Sequence, residues 1–164
     1  MVIGYSTYKN LLGRYLAGLQ KTMGEDLLAC AVFGSVARGT ARRDSDIDLL
    51  IVHGGTREKA WGDFDHARRF PEVAAEDREL RRAGLMPDVF PVFLTPERLV
   101  SHPWILLDIQ EKAVSLFDSG ILGDELTVVR QKMAGLGSRK VNLPDGSWYW
   151  ELKPGARAGE LIIL

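Results

Sequence analysis

Two short apolar runs, LLACAVFG at 27–34 and DIDLLIVHGG at 46–55, constrain this 164-residue chain most strongly. Each is too short for a typical buried helix, is rich in leucine and β-branched residues, and closes on glycine, so each reads as a buried strand. Between them, SVARGTARRDS at 35–45 is small, polar and basic, a turn with room for one helical turn after Ser35. Residues 6–24 carry Tyr8, Leu11, Leu12, Tyr15, Leu16 and Leu19 at helical spacing, with Ser6 or Thr7 as the expected cap and Gly24 as the expected end. The charged stretch 56–83 is helical in composition, and Pro71 must break or kink it.

The remaining elements follow the same logic. PDVFPVFL at 87–94 reads as a strand, and Pro91 puts it at an edge or a bulge. Thr95-Pro96 is a helix start, with proline at the first helical position. A helix over 103–113, a short strand over 113–119 and a helix from 121 ended by Gly135 or Gly137 come next. RKVNL (139–143) and SWYWEL (147–152) flank Pro144-Asp145-Gly146, which predicts a hairpin with Trp148 and Trp150 on one face and Tyr149 on the other. The expected fold is α/β: a mixed, twisted β-sheet flanked by helices, packed mainly on one side, with a C-terminal β-hairpin. Residues 1–137 make the main domain, and 138–164 form a hairpin appendage of the same globular unit.

Composition narrows the function classes. Hydrophobic residues at 46% and charged residues at 26% exclude a disordered or collagen-like chain. The single cysteine, Cys30, excludes a disulfide scaffold. No apolar run reaches a membrane span and no basic-then-apolar leader opens the sequence, so a cytoplasmic protein without a membrane partner is expected. A net charge of −1 gives no strong nucleic-acid signal.

The chemistry is concentrated in Gly34-Ser35, ten intervening residues, then Asp46-Ile47-Asp48. On a strand, Asp46 and Asp48 project from one face, and two carboxylates that close repel unless a cation joins them. Mg²⁺ suits them, because it takes carboxylate oxygens together with substrate phosphates. Gly34 allows close approach to the backbone, Ser35 offers a hydroxyl and helix-start N–H groups, and Arg38, Arg42 and Arg43 add positive charge. The set reads as a nucleoside-triphosphate site. A Walker loop is excluded because no lysine lies between 35 and 48, and Gly34 and Gly39 do not make a dinucleotide fingerprint. An EF-hand reading of the segment from Asp44 fails, because Leu49 and Gly55 stand where Gly and Glu are needed.

GSVARGTARRDSDIDLLIV resembles the signature of the DNA polymerase β-like nucleotidyltransferase superfamily, in its minimal nucleotidyltransferase branch. The resemblance implies a third carboxylate on a later strand, best placed at Asp88. Asp63, Asp65 and Asp77 fall in a predicted helix, where that family does not put it. It further implies two Mg²⁺ ions held by Asp46, Asp48 and Asp88, phosphates oriented by Gly34, Ser35 and Arg38, and transfer of a nucleoside monophosphate, AMP from ATP, to a hydroxyl. Minimal nucleotidyltransferases of this kind pair with small HEPN proteins, which points to an antitoxin that attaches AMP to a tyrosine of a HEPN-type partner. Two other readings stand beside it: a small-molecule transferase similar to the aminoglycoside nucleotidyltransferases, and a nucleotide-binding module that neutralises a partner by contact alone. The length leaves little chain for an acceptor domain, so the acceptor is expected on a partner or across a homo-oligomer interface.

Other notable residues have plain explanations at this stage. His53, His66, His102 and Cys30 read as structural, and Arg42 and Arg43 as surface charges. The Trp148-Tyr149-Trp150 cluster is read three ways: a cover for the core, an exposed patch for a partner, or a platform that stacks a base.

Overall fold

The structure is a computed structural model that describes residues 2–164. The first helix, α1 (Tyr5–Met23), leads into β1 (Leu27–Phe33), a single helical turn α2 (Gly34–Arg38) and β2 (Ile47–His53). Two helices, α3 (Arg57–Ala67) and α4 (Pro71–Arg82), then cross over to β3 (Val89–Leu94). The chain continues through α5 (Pro96–Val100), α6 (Ile105–Glu111), β4 (Val114–Asp118) and α7 (Ile121–Leu136), and finishes with the strands β5 (Arg139–Asn142) and β6 (Trp148–Glu151). The sheet runs β3-β2-β1-β4. β1 is antiparallel to β2 and to β4, and β2 is parallel to β3, so the sheet is mixed.

The helices cover both faces of this sheet, not mainly one. Cys30, Val32, Leu49 and Ile51 pack into a core with α1, α3 and α4, whereas Ala29, Ala31, Leu50 and Val52 pack into a second core with α5, α6 and α7. The cause lies in the two central strands. They are apolar at odd and at even positions alike, so each face sheds water only when a helical layer covers it. Burial follows the pattern: Cys30, Val32, Leu49, Leu50, Ile51 and Val52 are fully buried.

Local sequence rules account for most element ends. Pro71 opens α4 at its first turn and thereby separates it from α3. Pro91 sits in β3, the edge strand. α1 begins one residue earlier than Ser6, and Thr7 acts from inside the helix: its Oγ1 accepts the Gly4 N–H at 3.3 Å. At the other end of α1, Gly24 is the cap residue as expected. α7 ends at Gly137, whose φ of +70° suits glycine.

Thr56 caps α3 through its Oγ1, which accepts the Lys59 N–H at 3.2 Å. Thr56→Ala is expected to lower stability by about 1 kcal/mol, with Thr56→Ser close to the parent. Urea denaturation followed by circular dichroism measures both, and equal midpoints for parent and alanine variant would refute the cap.

The hairpin folds onto the second core. Trp148 and Trp150 share a face, with ring centroids 6.3 Å apart, edge to face. Trp150 packs against that core and its Nε1–H donates to Asp108 Oδ1 at 3.4 Å, while Lys140 Nζ lies 4.1 Å from the centre of the Trp148 ring. Tyr149, on the opposite face, is exposed. Of the three residues, Trp150 packs as a cover for the core, and Tyr149 faces solvent. Among the described residues, no helix is long and apolar enough to cross a membrane.

Candidate active site

The turn from β1 into α2 is built around a contact that glycine alone permits. Gly34 has φ +69°, and a Cβ placed on it would lie 2.1 Å from Asp48 Oδ2. The register explains the proximity: Phe33, the last residue of β1, pairs with Asp48 on β2. The Asp48 carboxylate therefore occupies the space that a side chain at position 34 would take. Sequence reasoning assigned Gly34 to close approach of a phosphate; the structure adds close approach of a carboxylate.

Asp46 and Asp48 flank Ile47, which is fully buried in the first core. Asp46 is exposed and Asp48 half-buried. Burial raises the Asp48 carboxyl above its ordinary value, the charge of Asp46 raises it further, and Arg38 pulls it down. Gly34, Arg38, Asp46 and Asp48 are thus one electrostatic group at the end of the central strands. Ser35 stands half-buried in the first turn of α2, and its carbonyl accepts the Thr40 N–H at 3.0 Å, which folds the loop back onto the turn.

The loop arginines behave as surface residues. Arg42 is exposed and pairs with Asp44 at 3.6 Å. The Arg43 carbonyl accepts the Met86 N–H at 2.8 Å and pins the loop to the segment before β3. The histidines and the cysteine have structural settings. His53 is buried edge-on to Phe93, His66 packs edge-on to Phe70, and His102 Nε2 lies 2.8 Å from Glu125 Oε2. Burial pushes the Cys30 thiol up to about 12, which makes it unreactive.

Asp88 stands apart from the other two carboxylates. Its backbone is well placed: the Asp88 carbonyl accepts the Ile47 N–H at 2.8 Å, and Val89 is the register partner of Ile47. Its side chain is turned to α4, where Arg81 donates to Asp88 Oδ1 at 2.5 Å and to Asp77 Oδ2 at 2.8 Å. The charge of Asp88 is felt by Tyr15, whereas Asp48 responds to Asp46 and Arg38. Among the described residues, no three His, Cys, Asp or Glu side chains are grouped to hold a metal ion.

Asp88 and Arg81 line a cleft of about 740 Å³ between α1, α3, α4 and the edge strand β3. Tyr15, Trp61, Phe64 and Phe90 give it an aromatic wall. Neither the cleft nor Arg81 stands out in the sequence, because residues 56–83 show only a charged, helical composition. The one local signal was the four-residue spacing of Asp77 and Arg81.

The donor set of Asp46 and Asp48 fits a hard divalent cation. Asp46 lies just before β2 and Asp48 within it, near enough for the charge of Asp46 to be felt at Asp48, a repulsion of the kind a cation relieves. The profile of the family described as "Nucleotidyltransferase domain" matches residues 20–116, more than half of the chain and every residue of the motif. The chain belongs to this family. Over 43 residues it is 44% identical to a Methanocaldococcus jannaschii protein named "Putative protein adenylyltransferase"; the match spans 26% of this chain and 29% of that protein.

Solved structures to which the chain is similar include toxin–antitoxin proteins. One, crystallised with AMP-PNP, is 18% identical and covers 76% of this chain and 92% of its own, at a TM-score of 0.43. Another, a tri-AMPylated Shewanella oneidensis HEPN toxin in complex with its MNT antitoxin, is 13% identical and covers 77% and 91%, at a TM-score of 0.40. At such scores the family assignment rests on the profile match and on the motif residues.

Proposed function

We propose that this nucleotidyltransferase moves AMP from ATP onto a hydroxyl of a partner protein, a tyrosine of a HEPN-type toxin, and acts as its antitoxin in the cytoplasm. The observation that carries the reading is the Asp46–Asp48 pair with Asp48 seated against Gly34 at the strand-to-helix turn. The resemblance of residues 34–52 to minimal nucleotidyltransferases supports the partner class, and the Methanocaldococcus relative is named for adenylyl transfer to protein.

In this reading Asp46 and Asp48 hold Mg²⁺ together with the triphosphate, and Asp88 completes the set for two ions. The ions, when bound, neutralise charge on the phosphates and acidify the acceptor hydroxyl. Gly34, Ser35 and the first turn of α2 orient the phosphates, and Arg38, half-buried one turn on, offsets their charge. Asp88 takes the hydroxyl proton as the hydroxyl oxygen bonds to the α-phosphorus, and the bond from that phosphorus to the pyrophosphate oxygen breaks. No covalent enzyme intermediate is required, so positioning and electrostatics carry the rate.

The test combines the purified protein with Mg²⁺, labelled ATP and a HEPN protein encoded beside it. Label on a partner tyrosine is the expected result. Pyrophosphate release on adding an aminoglycoside, with no label on the partner, would move the protein to the small-molecule transferases. Full neutralisation of the partner by Asp46→Ala and Asp48→Ala variants would make it a contact-only binder.

A further inference from the structure

We infer that Arg81 is a positioning residue that holds Asp88 out of the carboxylate set, so that the set in the resting protein is Asp46 and Asp48 alone. The inference rests on the metal-binding reading above. Three observations support it. The Asp88 backbone is already beside the pair, joined to it through the Ile47 N–H, so nothing in the sheet keeps Asp88 away. Its carboxylate is instead held by the Arg81 guanidinium at 2.5 Å. Arg81 is in turn fixed by Asp77 one helical turn earlier, at 2.8 Å from Nε, so one guanidinium is clamped between two carboxylates.

The geometry makes completion of the site conditional. While Arg81 holds Oδ1, the Asp88 carboxylate stays turned to α4, and a divalent cation beside Asp46 and Asp48 competes with the guanidinium for that side chain. Asp77, Arg81 and Asp88 all line the aromatic-walled cleft between α3, α4 and β3. The residue that gates the third carboxylate is therefore accessible to whatever enters that cleft. Arg81 lies on the exposed side of α4, and its side chain retains 44% of its accessible surface. Its replacement is accordingly expected to leave the fold intact.

The test is Mn²⁺ titration of the full chain with a non-hydrolysable ATP analogue, read by the electron paramagnetic resonance signal of free Mn²⁺ and compared with the analogue alone. In the parent, one ion binds firmly and a second weakly. In Arg81→Gln the second ion is expected to bind about fivefold more tightly, the scale of one exposed carboxylate–guanidinium pair. The gain should vanish in Arg81→Gln/Asp88→Asn, and Arg81→Lys, which keeps the charge, should resemble the parent. Unchanged or weaker second-ion binding in Arg81→Gln, or a gain that survives Asp88→Asn, would overturn the inference. Asp46→Asn separates this from the underlying reading. If it leaves the first ion bound, the metal assignment itself fails; if it removes that ion while Arg81→Gln changes nothing, only the role of Arg81 falls.

Discussion

Asp48→Asn is expected to lose nucleotidyl transfer by a factor of about 10²–10³ or more and, at neutral pH without divalent metal, to melt above the parent. The two effects share one cause. Asp48 is half-buried beside Asp46, and both burial and that neighbour raise its carboxyl above the ordinary value. A carboxyl raised on folding binds its proton more tightly in the native than in the unfolded state. Stability is therefore highest below the unfolded value and is lost as pH rises through the folded one. Asparagine removes that penalty, so its advantage should be full at pH 7 and should fade as pH falls toward the unfolded carboxyl value. The penalty comes from burial and from the Asp46 charge, and a bound cation would relieve it. Thermal melts of parent and variant in EDTA, from neutral to acid pH, together with transfer rates in Mg²⁺, check both halves. Activity within tenfold of the parent, or a lower melt at pH 7, would contradict the assignment.

Gly34→Ala should be the most destabilising single methyl group that can be added to the site. Its φ of +69° costs a residue with a Cβ about 1–2 kcal/mol. The Cβ would also sit 2.1 Å from Asp48 Oδ2, where no contact is tolerated. Overpacking of this kind costs about 1–3 kcal/mol when neighbours shift to relieve it. Together these predict a loss of about 2–5 kcal/mol and a fall in Tm of roughly 4–20 °C for a domain of this size. The relief must come from Asp48, so activity should fall as well. A double-mutant cycle isolates the contact. In the Asp48→Ala background the same glycine substitution should cost the backbone component alone. An equal cost in both backgrounds would show that Asp48 does not occupy the space beside Gly34.

Much of this site could be read from the sequence because it is local. Gly34-Ser35 follow the end of β1 and Asp46-Ile47-Asp48 run into the start of its neighbour β2, so strand pairing and a glycine at a turn bring them together. The elements were legible for the same reason. Apolar spacing marked α1, Pro71 marked the break between α3 and α4, and Pro91 marked β3 as an edge. What could not be read depends on packing between distant segments. That Asp88 would turn to Arg81 follows from α4 lying against the entry of β3, and no periodicity within residues 71–82 announces it. The helical cover on both faces follows from β1 and β2 being apolar at successive positions. Those same letters, taken one run at a time, indicate only a buried strand.

In the proposed reaction the bond broken lies at the α-phosphorus of ATP, and one measurement addresses it directly. Parent and Asp46→Asn are incubated with Mg²⁺ and the partner protein, using ATP labelled at the α-phosphate in one series and at the γ-phosphate in another. The account predicts that the α-label appears on the partner, with one pyrophosphate released per label, and that the γ-label leaves with the pyrophosphate. Asp46→Asn should do neither. Transfer of the γ-label to the partner would contradict the account, and so would α-labelling that persists undiminished in Asp46→Asn.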